Sequence, residues 1–414
     1  MKLTESVAAQ LRLKPRRNRP FLLHHPWVHA HALETTGDSL PCGSVVDLLD
    51  AHGEFLGRGL INPASKLRLR LYSFDVNTEL SNEFFADRLA LAIARRKRWM
   101  TDAEGSSESS TISQPPAFDG GMRWVFSEGD RISGLIVDQY ADALNVTWTS
   151  AALATRRDVI EPLLSEELSA KHVFSQMDVS TAKREGESPW GLWLEPPADE
   201  AIRYRENGLV RTVRMSEGQK TGGYLDQRFN HAAAAKYFAN RRVLDVCCYQ
   251  GGFSLVASAA GAASVTAVDS SRRALEQADA DAKANGLPEI DFVQADCFDF
   301  LTDLAENEPQ FDTIVLDPPK FAGTRQQVDR ALRAYRRLNR LALRCLTPGG
   351  TMITCSCSGS VDQEDFLGVL AHASRSENVD LSLLEVRGAG PDHPVAVSCP
   401  ETRYLKCVIA GIDR

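Results

Sequence analysis

The stretch RRVLDVCCYQGGFSLVASAAGA, residues 241–262, decides the fold. A short apolar run passes through Asp245, a turn containing Gly251 and Gly252 follows, and the chain resumes as an apolar segment rich in small residues. It reads as strand, turn, helix. The same rhythm returns in SVTAVDSSRRALEQADADAKANGL (264–287) and continues through IDFVQADCFDFL (290–301) and FDTIVLDPPKF (311–321). LTPGGTMITCSCSGS (346–360) supplies a fifth strand. Alternation of this kind builds a parallel sheet with helices on both faces, a Rossmann-like doubly wound α/β fold. YLKCVIAGI (404–412) reads as an added strand, carried antiparallel at the sheet edge.

The ends of these strands carry the chemistry. Pro318 and Pro319 can neither donate to a ladder nor extend it, so the fourth strand stops at Asp317. Its carboxylate is left where open α/β sheets gather ligands. A nicotinamide or flavin fold would show Gly-x-Gly-x-x-Gly in the first turn, because its backbone must approach a pyrophosphate. Here Tyr249 and Gln250 precede only the adjacent Gly251 and Gly252, followed by Phe253. Asp269, ending the second strand, can accept both hydroxyls of a ribose, and Asp296, beside Cys297, can reach an adenine edge. Asp245, Asp269, Asp296 and Asp317 end four successive apolar runs. A nucleoside without a pyrophosphate fits these positions, and S-adenosylmethionine is the cofactor expected. The alternative is that the acids are exposed loop residues and the glycines simple turn formers.

Bulk properties narrow the remainder. No apolar run reaches the length of a bilayer span, and MKLTESVAAQLRLKPRRNRP lacks a signal peptide's apolar core, so a cytoplasmic protein is expected. Nine cysteines, an odd number without even spacing, fit a reducing compartment better than a disulfide framework. The net charge of -8 argues against a uniformly basic nucleic-acid coat but leaves room for local patches. Two exist: Arg12, Lys14, Arg16, Arg17 and Arg19, and the series Arg325, Arg330, Arg333, Arg336, Arg337, Arg340 and Arg344.

Three domains are expected. Residues 1–76 alternate short β-like runs with turns; SVVDLLDAHGEFLGRGLI (44–61) reads as two strands around His52-Gly53, and KLRLRLYSF (66–74) as a strand with a cationic face at Lys66, Arg68 and Arg70. Residues 77–200 form a small α/β domain, with a Ser-, Gly- and Pro-rich flexible loop near 101–121. Residues 201–414 form the doubly wound domain.

VLDVCCYQGGFS, VTAVDSS, DPPKF and TCSCSG, with TGGYLDQR just upstream, resemble the large-subunit ribosomal RNA cytosine-5 methyltransferase I family. The likeness extends outward: HPWVHAHAL and GRGLINPASKLRLRLYS resemble that family's N-terminal PUA domain, and SEGDRISGLIVDQYAD its central domain. The resemblance implies that Tyr224, Gln227, Arg228, Ser270 and Pro318 join the cofactor site. It also implies a use for the cysteines. Cys355 and Cys357 share one side of the fifth strand by period two, and neighbouring fourth and fifth strands, about 4.8 Å apart, would bring Asp317 and Cys357 to one crevice. A Cys357 thiolate adding to cytosine C6 would make C5 nucleophilic enough to take a methyl group, with Asp317 holding the base. Lys320 is placed to favour the thiolate or to bind a phosphate.

The expected product is 5-methylcytidine in large-subunit ribosomal RNA, naked or incompletely assembled, captured partly through Lys66, Arg68 and Arg70. No metal is expected, since Cys355-x-Cys357 has the wrong spacing for a zinc knuckle and no matching pair follows. Two other readings stay open: methylation of a guanine or an exocyclic amine without a cysteine nucleophile, and a non-catalytic RNA-binding assembly factor. The modified nucleotide and the role of Cys355 are not legible, and a homodimer is kept open.

Overall fold

The computed structural model describes residues 7–104, 120–216, 222–306 and 310–413. Most of the polar loop expected near 101–121 therefore lies outside the described residues. The chain divides into two compact units: one comprises residues up to Tyr204 with Val213–Gly223 and Asp392–Thr402, the other Arg205–Thr212, Tyr224–Pro391 and Arg403–Arg414.

The first unit contains two five-stranded sheets. One runs in the order Ala9–Arg12, Val45–Leu49, Phe55–Ile61, Leu67–Ser73, Trp27–His29; the other runs Trp190–Glu195, His172–Met177, Ala143–Trp148, Leu135–Tyr140, Gly121–Phe126. Val45, Leu60 and Tyr72 of the first sheet share a single apolar core with Phe85 of helix Asn82–Glu104 and with Trp124 and Trp148 of the second. The expected boundary near residue 76 is thus no break in packing.

The cationic strand expected at residues 66–74 needs correction. Arg68 and Arg70 are 9% and 7% exposed. Arg70 donates to the Thr149 carbonyl at 2.8 Å and pairs with Glu128 at 3.3 Å and Glu185 at 3.4 Å, while Arg68 pairs with Asp38 at 2.9 Å. A buried guanidinium must have such partners to offset the loss of water, so both arginines serve the interior and only Lys66 faces solvent.

In the same unit His25, Cys399 and Glu401 bring their ligand atoms within 4.8 Å of one another. Their hydrogen bonding accounts for the cluster. The Trp27 N–H points at His25 Nδ1 (3.2 Å), which leaves Nε2 to donate to Glu401 (3.3 Å), so the imidazole has no lone pair over for a cation.

The second unit holds the doubly wound sheet. Its strands are β1 (Arg242–Val246), β2 (Ser264–Asp269), β3 (Asp291–Gln294), β4 (Phe311–Leu316), β5 (Leu346–Ser356), β6 (Asp380–Arg387) and β7 (Lys406–Asp413). The helices used below are α1 (Gly252–Ala259), α2 (Arg272–Ala284), α3 (Cys297–Leu304) and α4 (Val328–Cys345). The spatial order is β3-β2-β1-β4-β5-β7-β6, and β1 to β5 pair in parallel. The order reverses between β1 and β4, which opens a crevice at their carboxyl ends. The expected edge strand proves to be interior: β7 runs antiparallel between β5 and β6, and the edge is β6. β4 and β5 are neighbours, with Leu316 opposite Thr354.

Candidate active site

The turn after β1 curls through three left-handed residues, Cys247, Tyr249 and Gly251, at φ 62°, 50° and 71°. Only the last is a glycine, so the other two are held by their surroundings. The Tyr249 N–H donates to Asp269 Oδ2 at 2.9 Å, and the Arg211 guanidinium donates to the Gln250 carbonyl at 2.9 Å. Gly252 is required for space: a Cβ there would lie 2.3 Å from the His231 ring. That ring is fixed by Glu206 at 2.7 Å and packs edge-on against Phe253. Phe253 is therefore an internal support rather than the cofactor contact expected of it; it is 2% exposed.

Three carboxyl groups differ in environment. Asp245 is fully buried; Ser254 donates to its Oδ2 at 2.5 Å, while its Oδ1 has no hydrogen-bond partner among the described residues. Burial, reinforced by the charge of Asp269, pushes its pKa up to about 7. Asp269 remains half-exposed and anchors the N–H groups of Tyr249 and Ser271. Exposed Asp296 caps α3, its Oδ1 accepting from the N–H groups of Phe298 and Asp299 at 2.8 and 3.2 Å. Cys247 and Cys297 meet thiol to thiol, which raises the pKa of the first and lowers that of the second. Ser270 is exposed and Pro318 buried.

At the end of β4, burial followed by the nearby charge of Asp226 pushes Asp317 up to about 7, opposed by His231 and by the Gln227 amide. Gln227 is buried, and its Oε1 accepts from Asn230. Tyr224 stacks edge-on against Tyr249, with ring centroids 5.1 Å apart. Its pKa is raised by burial first, then by Tyr249, Asp317, Asp226 and Cys357, which places this set around one phenol. Arg228 lies over the Phe229 ring, 5.0 Å from its centroid.

The two cysteines of the fifth strand separate in character. Cys355 is fully buried opposite Cys407 of β7, whereas Cys357, just past the strand end, is half-buried. The loop after it is held from three sides. Tyr335 of α4 bonds the hydroxyls of Ser356 and Ser358, each at 3.0 Å, and Ser358 accepts the Ala322 N–H from the DPPKF loop at 3.1 Å. The third tie is Lys406, whose Nζ donates to the carbonyls of Ser358, Val361 and Tyr404. Lys320 is exposed.

Sequence reasoning missed Asp226, Tyr404 and Lys406. Asp226 stands inside the quoted TGGYLDQR, yet its importance rests on contact with Asp317 and on a hydrogen bond from the Tyr404 hydroxyl. The signal for the other two was YLKC itself, a basic residue opening an apolar strand.

The residues suit an adenosine-bearing cofactor. The exposed lip of Asp269 offers a carboxylate to ribose hydroxyls, the strained turn presents backbone, and the unpartnered Oδ1 of Asp245 lies at the end of β1.

Comparison with known proteins agrees. The S-adenosylmethionine-dependent methyltransferase family matches residues 176–400, and a PUA-like domain matches residues 11–74. Curated proteins called ribosomal RNA large subunit methyltransferase I are similar over their whole length. That of Shewanella denitrificans is 34% identical over 98% of this chain and 100% of its own, and that of Pseudoalteromonas atlantica 33% over the same shares. Among solved structures, SMU.776 complexed with SAH has a TM-score of 0.81 at 21% identity, covering 97% of this chain and 100% of that one. A SAM-dependent methyltransferase from Agrobacterium tumefaciens has a TM-score of 0.50 at 18% identity, covering 73% and 92%.

Proposed function

Because the chain belongs to the S-adenosylmethionine-dependent methyltransferase family that includes ribosomal RNA large subunit methyltransferase I, we propose that it methylates C5 of a cytosine in large-subunit ribosomal RNA through a Cys357 adduct. Its cofactor is S-adenosylmethionine, which when bound supplies an electrophilic methyl group. The observation that carries the reading is the pairing, at the ends of adjacent strands, of a half-buried thiol with a carboxyl group of near-neutral pKa.

These two groups have complementary tasks. The Cys357 thiolate forms a C–S bond to C6 while protonated Asp317 gives its proton to N3, so that the electron pair displaced from the C5=C6 bond is held as an enamine. C5 is then the nucleophilic carbon. Once it carries the methyl group, loss of the C5 proton to a base expels the thiolate, and Asp317 recovers the N3 proton. Tyr224 offers an aromatic face beside the base, and the charge of Asp226 helps to keep Asp317 protonated.

The base must leave its stack to enter the crevice, at a cost of a few kcal/mol unless it is already unpaired, so a loop or an open, immature RNA region is the expected substrate. Capture falls to exposed cations: Lys66, the arm from Arg12 to Arg19, and Lys320, Arg325, Arg330 and Arg333 beside the DPPKF loop. Within this proposal residues 1–76, 77–200 and 201–414 keep their roles as PUA-like, central and catalytic domains.

Trapping on RNA containing 5-azacytidine tests the reading. The wild-type chain should form a covalent complex and Cys357→Ala none, while Cys355→Ala still forms it. If Cys357→Ala methylates RNA at near wild-type rate, C6 addition is excluded and methylation of an amine or a guanine takes its place.

A further inference from the structure

Lys406 is an unusual lysine for its position. It opens β7 opposite Ser356, the residue before Cys357, and is 2% exposed. Its three N–H bonds go to the carbonyls of Ser358, Val361 and Tyr404 at 2.7, 2.7 and 2.8 Å. An ammonium has three donors, so none is left over for a thiol. Among the described residues no carboxylate oxygen pairs with this Nζ. Carbonyl dipoles stabilise a charge without neutralising it, which leaves a net positive charge buried behind the loop that carries Cys357. Burial brings the pKa of Lys406 down to about 8, and the first interaction opposing that fall is with Cys357.

Of the groups that gather with Cys357, the Asp226 carboxylate works against a thiolate, whereas Asp317 in its acid form and the phenols of Tyr224 and Tyr335, whose pKa values are raised, carry no charge near neutrality. Asp317 at the end of β4, and Asp226 and Tyr224 in the turn before residue 228, gather with Cys357, and Tyr335 faces it from α4. Asp362, Arg403 and Lys320 lie around Lys406 itself. A cysteine beside a carboxylate needs a compensating cation to ionise near neutral pH. On the reading that Cys357 is the nucleophile, we infer that Lys406 is its positioning residue: a caged cation that sustains the thiolate through its charge, with no proton passing between them. The exposed Lys320, nearer in sequence, does not have this role.

The inference is tested on the full chain without RNA, by following iodoacetamide alkylation of Cys357 against pH with peptide mass spectrometry. Lys406→Met should move the midpoint of the profile upward and slow alkylation at pH 7 on the order of tenfold, one unit of thiol pKa. Lys406→Arg, which keeps the charge, should restore most of the rate, and Lys320→Met should leave the profile in place. Calorimetric affinity for S-adenosylmethionine reports whether Lys406→Met is folded. If that affinity is lost, the profile is taken on Lys406→Gln, which keeps donors for the loop carbonyls but no charge. An unmoved midpoint in the folded neutral variant overturns the assignment, as does a shift produced by Lys320→Met instead. Failure of wild-type protein to trap 5-azacytidine RNA, with the alkylation shift intact, would reject Cys357 as the methylation nucleophile and leave its pairing with Lys406 standing.

Discussion

The hydroxyl of Tyr404 is hydrogen-bonded to Oδ2 of Asp226, joining the segment that leads into β7 to the turn that holds Asp317. The bond keeps one carboxylate close to another. Burial first, and then the charge of Asp226 so placed, push the Asp317 pKa up to about 7.

A pH profile follows from this. Asp317 is useful as an acid only while protonated, so single-turnover methylation should fall on the alkaline side with an apparent pKa near 7. Asp226→Asn removes an anion that raises the Asp317 pKa, and the alkaline limb should move to lower pH. A limb unmoved or displaced upward in that variant would reject Asp317 as the group responsible.

Asp269 should contribute to cofactor affinity in two ways, as a ribose acceptor and as the anchor of the Tyr249 N–H. Asp269→Ala is expected to weaken S-adenosylmethionine binding by about 1.5 to 3 kcal/mol, the usual worth of a hydrogen bond to a charged group. Calorimetry at fixed pH measures it. Unchanged affinity would mean that the ribose is held elsewhere.

The buried arginines predict a contrast between stability and RNA binding. Arg70→Ala leaves Glu128 and Glu185 buried without their cation, a change that costs about 3 to 5 kcal/mol in comparable sites, so its melting temperature should drop well below that of Lys66→Ala. Thermal melts decide. A wild-type melt for Arg70→Ala together with lost RNA affinity would return this residue to the RNA surface.

On α4 and the turn before it, alanine at Arg325, Arg330 and Arg333 should weaken RNA binding and flatten its salt dependence, by about 0.7 in log–log slope for each phosphate of single-stranded RNA that is no longer neutralised. Alanine at Arg340 and Arg344 should change it less, because both are engaged by Glu377 at 2.9 and 2.7 Å. Filter binding across a salt series distinguishes the two sets.

The parallel core was legible because its central strands β1 and β4 are buried on both faces and stop abruptly: Phe311 to Leu316 is apolar but for Asp312 and Thr313, and two prolines follow Asp317. β6 was not, because Leu383, Leu384 and Val386 are roughly half-exposed and follow no clean alternation. Period two in KLRLRLYS correctly indicated two faces, but it carries no information on which face meets water. A buried arginine needs acids from distant segments, here residues 128 and 185. Lys406 was hidden for the same reason. Its three acceptors are backbone carbonyls, two of them in the loop after β5, and backbone leaves no trace in side-chain pattern.

The interior place of β7 has a consequence for how the molecule is made. β6 emerges from the ribosome before β7, yet it pairs only with β7 and must wait for it. Until residues 404–413 are synthesised, the growing sheet ends at β5 with an unpaired apolar edge, and Cys357 stands in a loop that lacks its caging ammonium. Long-range pairing of this kind closes late and slowly. A nascent chain shorter than this can already have formed β1 to β5, but on the role proposed for Lys406 its Cys357 would still lack the charge that sustains a thiolate, and thiol chemistry would wait until β7 pairs.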